Sequence, residues 1–94
     1  DMSRPLPDTF ELHANYPNPF NPRTTLRFDL PEKQYVRITI YNVLGQKIRT
    51  FLNKSMQAGR HHVRFDASDL TSGIYIYVIQ TENEAATGKM LLLK

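Results

Sequence analysis

Apolar and polar side chains alternate along most of this chain, and that pattern predicts β-strands. In TTLRFDL, residues 24–30, leucine or phenylalanine occupies every second position, with threonine, arginine and aspartate between. In YVRITIYN, residues 35–42, valine and isoleucine alternate in the same way with tyrosine, arginine and threonine. Because successive side chains of a strand point to opposite faces, each segment has one face suited to a core and one suited to solvent.

Five further segments complete the predicted set of strands. They are FELHA (10–14), QKIRTFLN (46–53), RHHVRFDA (60–67), GIYIYVIQT (73–81) and GKMLLLK (88–94). The alternation in QKIRTFLN slips near Phe51 and Leu52, which indicates a β-bulge. GIYIYVIQT is apolar on both faces, which predicts a central strand that is covered on both sides.

Seven short strands separated by turn residues predict an all-β fold: an immunoglobulin-like sandwich of about seven antiparallel strands. The chain of 94 residues has the size of one domain. We expect residues 10–94 to form the sandwich. Residues 1–9 are expected to be a linker from an upstream domain, held extended by Pro5 and Pro7.

The segment NYPNPFNP, residues 15–22, is called the proline segment below. Each of its three prolines fixes a backbone angle, removes a donor and biases the preceding residue toward extended geometry. Asn18 and Asn21 each precede a proline, and their side chains can satisfy nearby backbone groups. We therefore expect a rigid crossing between the two sheets, pinned to the edge of the core by Tyr16 and Phe20.

Composition excludes several classes of protein. The chain has no cysteine, so it can form neither a disulfide framework nor a thiolate metal site. Twelve basic residues against nine acidic ones give a net charge of +3, and their scatter argues against nucleic-acid binding. The apolar runs are too short for a membrane span. The first ten residues lack the apolar core of a signal peptide, which suggests a piece of a longer precursor.

Side chains that could take part in catalysis or bind a metal ion are few, and they are dispersed along the sequence. His61 and His62 are adjacent and would point to opposite faces of a strand, and His13 lies far away in sequence, so no metal site is predicted. Asp66 and Asp69 are too few for a calcium site, and Asp66 is expected to close its turn by accepting backbone N–H bonds. No nucleophile–base motif and no phosphate-binding loop occurs. We therefore expect neither catalysis nor a cofactor.

Four arginines at outward positions raise the possibility of a basic stripe. A solvated face is the ordinary interpretation. If their strands were neighbours, the stripe would favour an anionic partner such as a lipopolysaccharide headgroup or an acidic protein surface. The four residues are Arg27, Arg37, Arg49 and Arg64.

Four separated blocks of the sequence carry a family resemblance. In order they are NYPNPFNPRTTLRFDLP, VRITIYNVLGQKIRTF, AGRHHVRFDASDLTSGIYIYVI and KMLLLK. Together they resemble the type A C-terminal sorting domain of cargo of the type IX secretion system, also called the Por secretion system. That domain is similar to the immunoglobulin-like module of the flagellar hook-cap family. The resemblance extends from about residue 10 to residue 94.

The resemblance implies a non-catalytic signal at the end of a large secreted hydrolase or adhesin. A signal peptide would take the precursor to the periplasm, and an outer-membrane translocon would recognise the C-terminal domain. A sortase would remove the domain at the cell surface. The cargo would then be attached to anionic lipopolysaccharide or released.

The family's signal blocks map onto ten residues. The residues are Pro17, Asn18, Pro19, Phe20 and Asn21 in a proline block, Gly73 and Tyr75 in a glycine–aromatic block, and Lys89, Met90 and Lys94 in a terminal block. A stiff segment loses little ordering entropy when a receptor docks, and the last strand offers a sheet edge. The alternative for the two lysines is an ordinary solvated charge. Phe65 departs from the family, since many relatives have tryptophan there.

A second function remains open at this point: an accessory carbohydrate-binding or cell-adhesion module of a multidomain secreted hydrolase. Such a module needs exposed, coplanar aromatic rings. Tryptophan is absent, and the candidate rings are Tyr35, Tyr41, Tyr75 and Tyr77.

Overall fold

The computed structural model describes residues 5–94, so the first four residues of the predicted linker lie outside the described part. Residues 5–94 form seven strands: β1 (Glu11–Tyr16), β2 (Arg23–Leu30), β3 (Gln34–Asn42), β4 (Lys47–Met56), β5 (Gly59–Asp66), β6 (Gly73–Gln80) and β7 (Ala85–Leu92). All seven predicted strands are confirmed, although β4 runs on to Met56 and β7 already begins at Ala85. Within residues 5–94 there is no helix of the length and apolarity that a membrane crossing requires.

The strands form two sheets. One sheet has the order β1-β2-β5 and the other the order β4-β3-β6-β7, and every neighbouring pair is antiparallel. This arrangement confirms the predicted all-β, immunoglobulin-like sandwich.

The core lies between the two sheets, and it includes every alternating leucine, phenylalanine, valine and isoleucine of residues 24–30 and 35–42. Each fully buried aliphatic or aromatic side chain contributes roughly 1.5–3 kcal/mol relative to an exposed one. The buried apolar residues are Phe20, Leu26, Phe28, Leu30, Val36, Ile38, Ile40, Phe65, Ala67, Tyr75, Tyr77, Ile79, Met90 and Leu92.

The prediction that residues 73–81 are covered on both sides is wrong. Strand β6 is central in its sheet, and its inward side chains are buried. Its outward side chains are different: Ile74 is 41% exposed, and Ile76 and Val78 are only partly buried. In a two-layer sandwich the outer face of a sheet meets solvent, so an apolar residue there need not be covered.

The predicted bulge in β4 is confirmed. Ile38 pairs with Leu52 and the next residue, Thr39, pairs with Thr50, so Phe51 is the extra residue. Its ring lies 5.1 Å from that of Phe65, centroid to centroid. A second register shift lies between Ile40, which pairs with Arg49, and Tyr41, which pairs with Lys47. Bulges bend and twist a strand locally, and on an edge strand such as β4 they hinder pairing with another chain.

The corner between β5 and β6 is closed by Asp66, as predicted. Its Oδ1 accepts a hydrogen bond of 2.8 Å from the backbone N–H of Ser68 and a second bond from the Ser68 hydroxyl. Its Oδ2 lies 3.3 Å from Nε of Arg23. In the same corner Asp69 accepts a bond of 2.7 Å from Arg49.

We expect this corner to make the stability of the domain fall in acid. The bonds from Ser68 and, secondarily, the charge of Arg23 lower the pKa of Asp66 below its usual 3.8. A carboxyl group with a lowered folded-state pKa stabilises the fold above its unfolded pKa, and this contribution is lost as the pH falls through the folded value. Thermal unfolding should therefore show a midpoint that drops below about pH 4, and less steeply in Asp66→Asn than in the wild type.

The matched control for this experiment is Asp8→Asn, which changes an exposed aspartate outside the strands. It should follow the wild-type profile in acid. Parallel curves for the wild type and Asp66→Asn would contradict the assignment of acid sensitivity to the corner.

Candidate recognition surface at the proline segment and the last strand

The proline segment joins β1 to β2, which are neighbours in the same sheet. The prediction that it crosses from one sheet to the other is therefore wrong. Instead it leaves its own sheet, forms a parallel bridge between Phe20 and Leu92 of β7, and returns. The Phe20 N–H donates to Leu91 O, and the Leu93 N–H donates to Phe20 O, both at 3.0 Å. The segment thus ties the two sheets together at one edge.

Asn18 extends this connection with its side chain. Its Oδ1 accepts the backbone N–H of Leu91 at 2.9 Å, and its Nδ2 donates to Lys89 O at 3.3 Å. The prediction that the side chain satisfies backbone groups is confirmed for Asn18, but these groups are 71 and 73 positions away along the chain rather than nearby in sequence. The proline block and the terminal block, distant in sequence, consequently form one continuous surface.

Only one of the two expected aromatic anchors reaches the core. Phe20 is 2% exposed and its ring centroid lies 6.5 Å from that of Phe65. Tyr16 is 73% exposed, so its predicted role as an anchor is wrong. The reason is a register shift in β1 between His13 and Tyr16, after which Tyr16 pairs with Thr25, a residue of the outward face.

The base of the segment is organised by Asn15, which sequence reasoning did not single out. Asn15 is 4% exposed, and its Nδ2 donates to Thr24 Oγ1 at 3.0 Å. The Thr24 hydroxyl in turn donates to Pro17 O at 2.7 Å. In the sequence, this role of Asn15 is indicated only by its position, where the alternating pattern of a strand ends and the prolines begin.

The glycine–aromatic block lies at the β5–β6 corner, and its aromatic residue is buried. Tyr75 is 6% exposed, and its hydroxyl donates to Thr71 O at 2.7 Å. A tyrosine near the start of this strand that bonds back to the preceding corner is a hallmark of immunoglobulin-like domains. Gly73 pairs with Leu92 and has a φ of 155°, a backbone geometry that favours glycine. These two residues shape the β5–β6 corner, which Lys94 contacts.

The terminal block divides into a buried residue and two exposed ones. Met90 is 1% exposed and belongs to the core. Lys89 and Lys94 are exposed. Lys94 is held on the β5–β6 corner, because its Nζ donates to Ser68 O at 2.6 Å and its N–H donates to Ser72 Oγ at 2.9 Å.

The ten predicted recognition residues therefore separate by burial. Phe20, Tyr75 and Met90 shape the surface from within and cannot be contacted in the folded domain. Gly73 is partly buried, and the exposed members are Pro17, Asn18, Pro19, Asn21, Lys89 and Lys94. A cleft of about 230 Å³ opens among the end of β1, Asn18 and β7.

The edge of β7 is less accessible than expected. Phe20 and Asn18 already bond the backbone groups of residues 89, 91 and 93. A partner could add a strand at this part of the edge only by displacing the proline segment. The exposed face of the segment is therefore the more accessible element.

The hypothetical arginine stripe is not formed. Arg27 and Arg64 lie on β2 and β5 of the three-stranded sheet, whereas Arg37 and Arg49 lie on β3 and β4 of the other sheet. After the bulge, the Arg49 guanidinium also lies 5.5 Å from the centroid of the Phe65 ring. The four charges thus do not act as one surface.

The four tyrosines considered for a carbohydrate-binding platform do not form one. Tyr75 and Tyr77 are 6% and 1% exposed, so neither can stack on a sugar. Tyr35 is 49% exposed and Tyr41 is partly buried. The expected set of four exposed rings is wrong, because two of them point into the core.

Comparisons with known proteins agree with this architecture. The model of a family described as secretion system C-terminal sorting domain matches residues 14–93. A solved structure of Pseudomonas fluorescens alkylpurine DNA glycosylase AlkC, bound to DNA containing an abasic site analog, has a TM-score of 0.58 and 19% sequence identity. The match covers 90% of this chain and 30% of that one, and at this identity it shows a shared fold alone. No curated protein matches the chain.

Proposed function

This chain belongs to the family of secretion system C-terminal sorting domains, which serve type IX secretion, and we propose that it directs an attached cargo protein through that system to the cell surface. The secretion machinery would recognise the surface of the folded domain rather than a reactive group. The domain is accordingly proposed to be non-catalytic.

The observation that carries this proposal is the union of two family blocks on one surface. Asn18 and Phe20 bond the backbone of β7, so the exposed prolines and Lys89 are presented together only when the sandwich has folded. A receptor that reads this surface would accept folded domains and ignore unfolded chains. Because the segment is already fixed by these bonds, docking would cost little ordering entropy.

The proposed partners follow the route of the cargo. An outer-membrane translocon would recognise the domain in the periplasm, and a sortase would remove it at the cell surface. The cargo, a hydrolase or an adhesin, would then be joined to anionic lipopolysaccharide or released. We propose residues 10–94 as the sorting domain and residues 1–9 as the linker to the cargo. In the described part of that linker, Pro5 O accepts a bond of 2.8 Å from Arg60 Nη1.

The test is a fusion of residues 1–94 behind a fluorescent protein that carries a signal peptide, expressed in a host with the type IX machinery. Fluorescence at the cell surface or in the medium is the expected result, measured by protease accessibility and by fractionation. Retention of the folded fusion in the periplasm would contradict the proposal. The same purified fusion should show no saturable binding to polysaccharides, since such binding would favour the accessory module instead.

A single charge reversal refines the test. Lys89 and Lys47 lie in one cross-strand row, Lys89–Ile76–Tyr41–Lys47, at opposite edges of the four-stranded sheet. Both lysines are exposed. We expect Lys89→Glu to lower the exported fraction several-fold and Lys47→Glu to leave it unchanged, with both variants as stable as the wild type. Equal export of the two variants would remove Lys89 from the recognition surface.

Deletion of residues 89–94 cannot replace this pair of variants. It would remove Met90 and Leu92 from the core together with the bridge to Phe20. We expect the deleted protein to unfold, so a loss of export would report on folding as much as on recognition.

A further inference from the structure

Three side chains of metal-ligating type converge on the outer face of the three-stranded sheet. Glu11 and His13 are two positions apart on β1 and therefore share a face. Asp29 of β2 is the cross-strand partner of Glu11. One donor atom of each lies within 4.8 Å of the others, and His13 Nε2 is 3.0 Å from Asp29 Oδ2. This group is called the Glu-His-Asp cluster below.

The pairing of Glu11 with Asp29 places two carboxylates directly opposite each other, an arrangement that destabilises a sheet unless a positive charge offsets it. The two flanking arginines are bonded to backbone carbonyls. Arg60, which pairs with Asp29 from β5, donates to Pro5 O at 2.8 Å. Arg27 donates to Ala14 O at 3.2 and 2.9 Å. A cation held between the carboxylates would remove the repulsion.

We propose that the Glu-His-Asp cluster binds a divalent transition-metal ion, with Zn²⁺ as the best fit. An imidazole nitrogen and two carboxylate oxygens are common zinc ligands, whereas Mg²⁺ and Ca²⁺ prefer oxygen alone. Ligand atoms around a tetrahedral zinc ion are about 3.3 Å apart, given bonds of about 2.0 Å, so only small side-chain movements are needed. Three protein ligands leave the fourth position to water.

The environment of the cluster suits such a site. The Asp29 side chain is 12% exposed and that of His13 is 38% exposed, so the ion would have one buried and two accessible ligands. All three ligands project from paired strands rather than loops, which limits their movement. The bound ion would join the edge strand β1 to β2 close to the point where the linker enters the domain. This inference does not depend on the export proposal.

The experiment uses the chain of residues 1–94 and zinc ions alone, titrated against a chromophoric chelator. One ion per chain is expected. At a free zinc concentration one hundred times the dissociation constant, the thermal midpoint should rise by about 10 °C. Cobalt(II) should give the visible absorption bands of a four-coordinate site. Absence of binding by the wild type would overturn the proposal.

Variants assign the ligands. His13→Gln and Glu11→Gln should each weaken zinc binding at least tenfold, and Asp29→Asn should do the same if it folds. His62→Gln is the matched control, because His62 lies in the same cross-strand row, His13–Arg27–His62, and is exposed. It should leave binding unchanged. Zinc affinity that is unaltered in His13→Gln, or equally reduced in His62→Gln, would place the ion elsewhere and refute the cluster.

Discussion

Replacement of Phe20 by alanine should destabilise the domain by about 3–5 kcal/mol, although the residue lies in the connection of six residues, 17–22, between β1 and β2. The ring is 2% exposed and fills the end of the sandwich beside Phe65. Its removal would leave a cavity at the place where the two sheets meet. Urea unfolding at 25 °C measures the effect, and the midpoint should shift while the slope stays constant.

Tyr16→Ala is the matched control, since it removes a similar ring from the same segment at a position that is 73% exposed. Its effect should stay within about 0.5 kcal/mol. Equal losses in the two variants would mean that the segment is held as a whole rather than by Phe20. Amide exchange at Leu93 should also accelerate in Phe20→Ala, because the Leu93 N–H donates to Phe20 O.

The contrast between Phe20 and Tyr16 shows where sequence reasoning stops. Alternation predicted the strands and most inward residues, because the period of two is a property of each strand alone. The exposure of Tyr16 depends on a register shift in β1, at which the Asn15 side chain bonds Thr24. A register shift reverses the face of every later residue, and the local pattern does not reveal its position.

The β4 bulge was predictable for the opposite reason. There the pattern itself slips, with Phe51 and Leu52 adjacent and apolar, and the structure leaves Phe51 without a partner on β3. An irregularity that interrupts the alternation is visible in the sequence. An irregularity that coincides with the end of a strand, as in β1, is not visible in the sequence.

The order of the strands in the sheets is the second feature that could not be predicted from the sequence. The arginine stripe required β2, β3, β4 and β5 to lie side by side, and the sandwich divides them between two sheets. The Glu-His-Asp cluster was missed for the same reason, since Asp29 is 16 residues from His13 and meets it only through the β1–β2 pairing. Long-range pairings decide both outcomes, and they depend on tertiary packing.

The members of the candidate recognition surface come from the family resemblance and stay a prediction, and what the structure adds is their burial. The family resemblance gave ten residues, and burial divides them into residues that shape the surface and residues that present it. The resemblance places Phe20 and Asn21 in the same block, although Phe20 fills the core and Asn21 is exposed. Substitutions in the buried group would therefore act through the stability of the domain, so only the exposed group can test the proposed recognition directly.

Gly88→Ala is the second substitution for which we expect a large effect. The sign of the change in the free energy of unfolding distinguishes side-chain packing from backbone propensity. Gly88 lies on β7 opposite Tyr77 of β6, and an added Cβ would overlap the Tyr77 ring. Tyr77 is 1% exposed, and burial raises the pKa of its phenol. The added Cβ would force the ring or the β7 backbone to shift, so we expect a loss of about 3 kcal/mol in the free energy of unfolding.

Backbone entropy alone predicts the opposite result. In an ordinary strand position, alanine in place of glycine would stabilise the fold by roughly 0.5–1 kcal/mol. Thr87→Ala, at the exposed neighbouring position, serves as the control and should stay within about 0.5 kcal/mol of the wild type. In the background of Tyr77→Leu, which removes most of the overlapping ring, Gly88→Ala should cost much less, and the double-mutant cycle would give the coupling energy. A stabilising Gly88→Ala would show that the Tyr77 ring does not occupy this space.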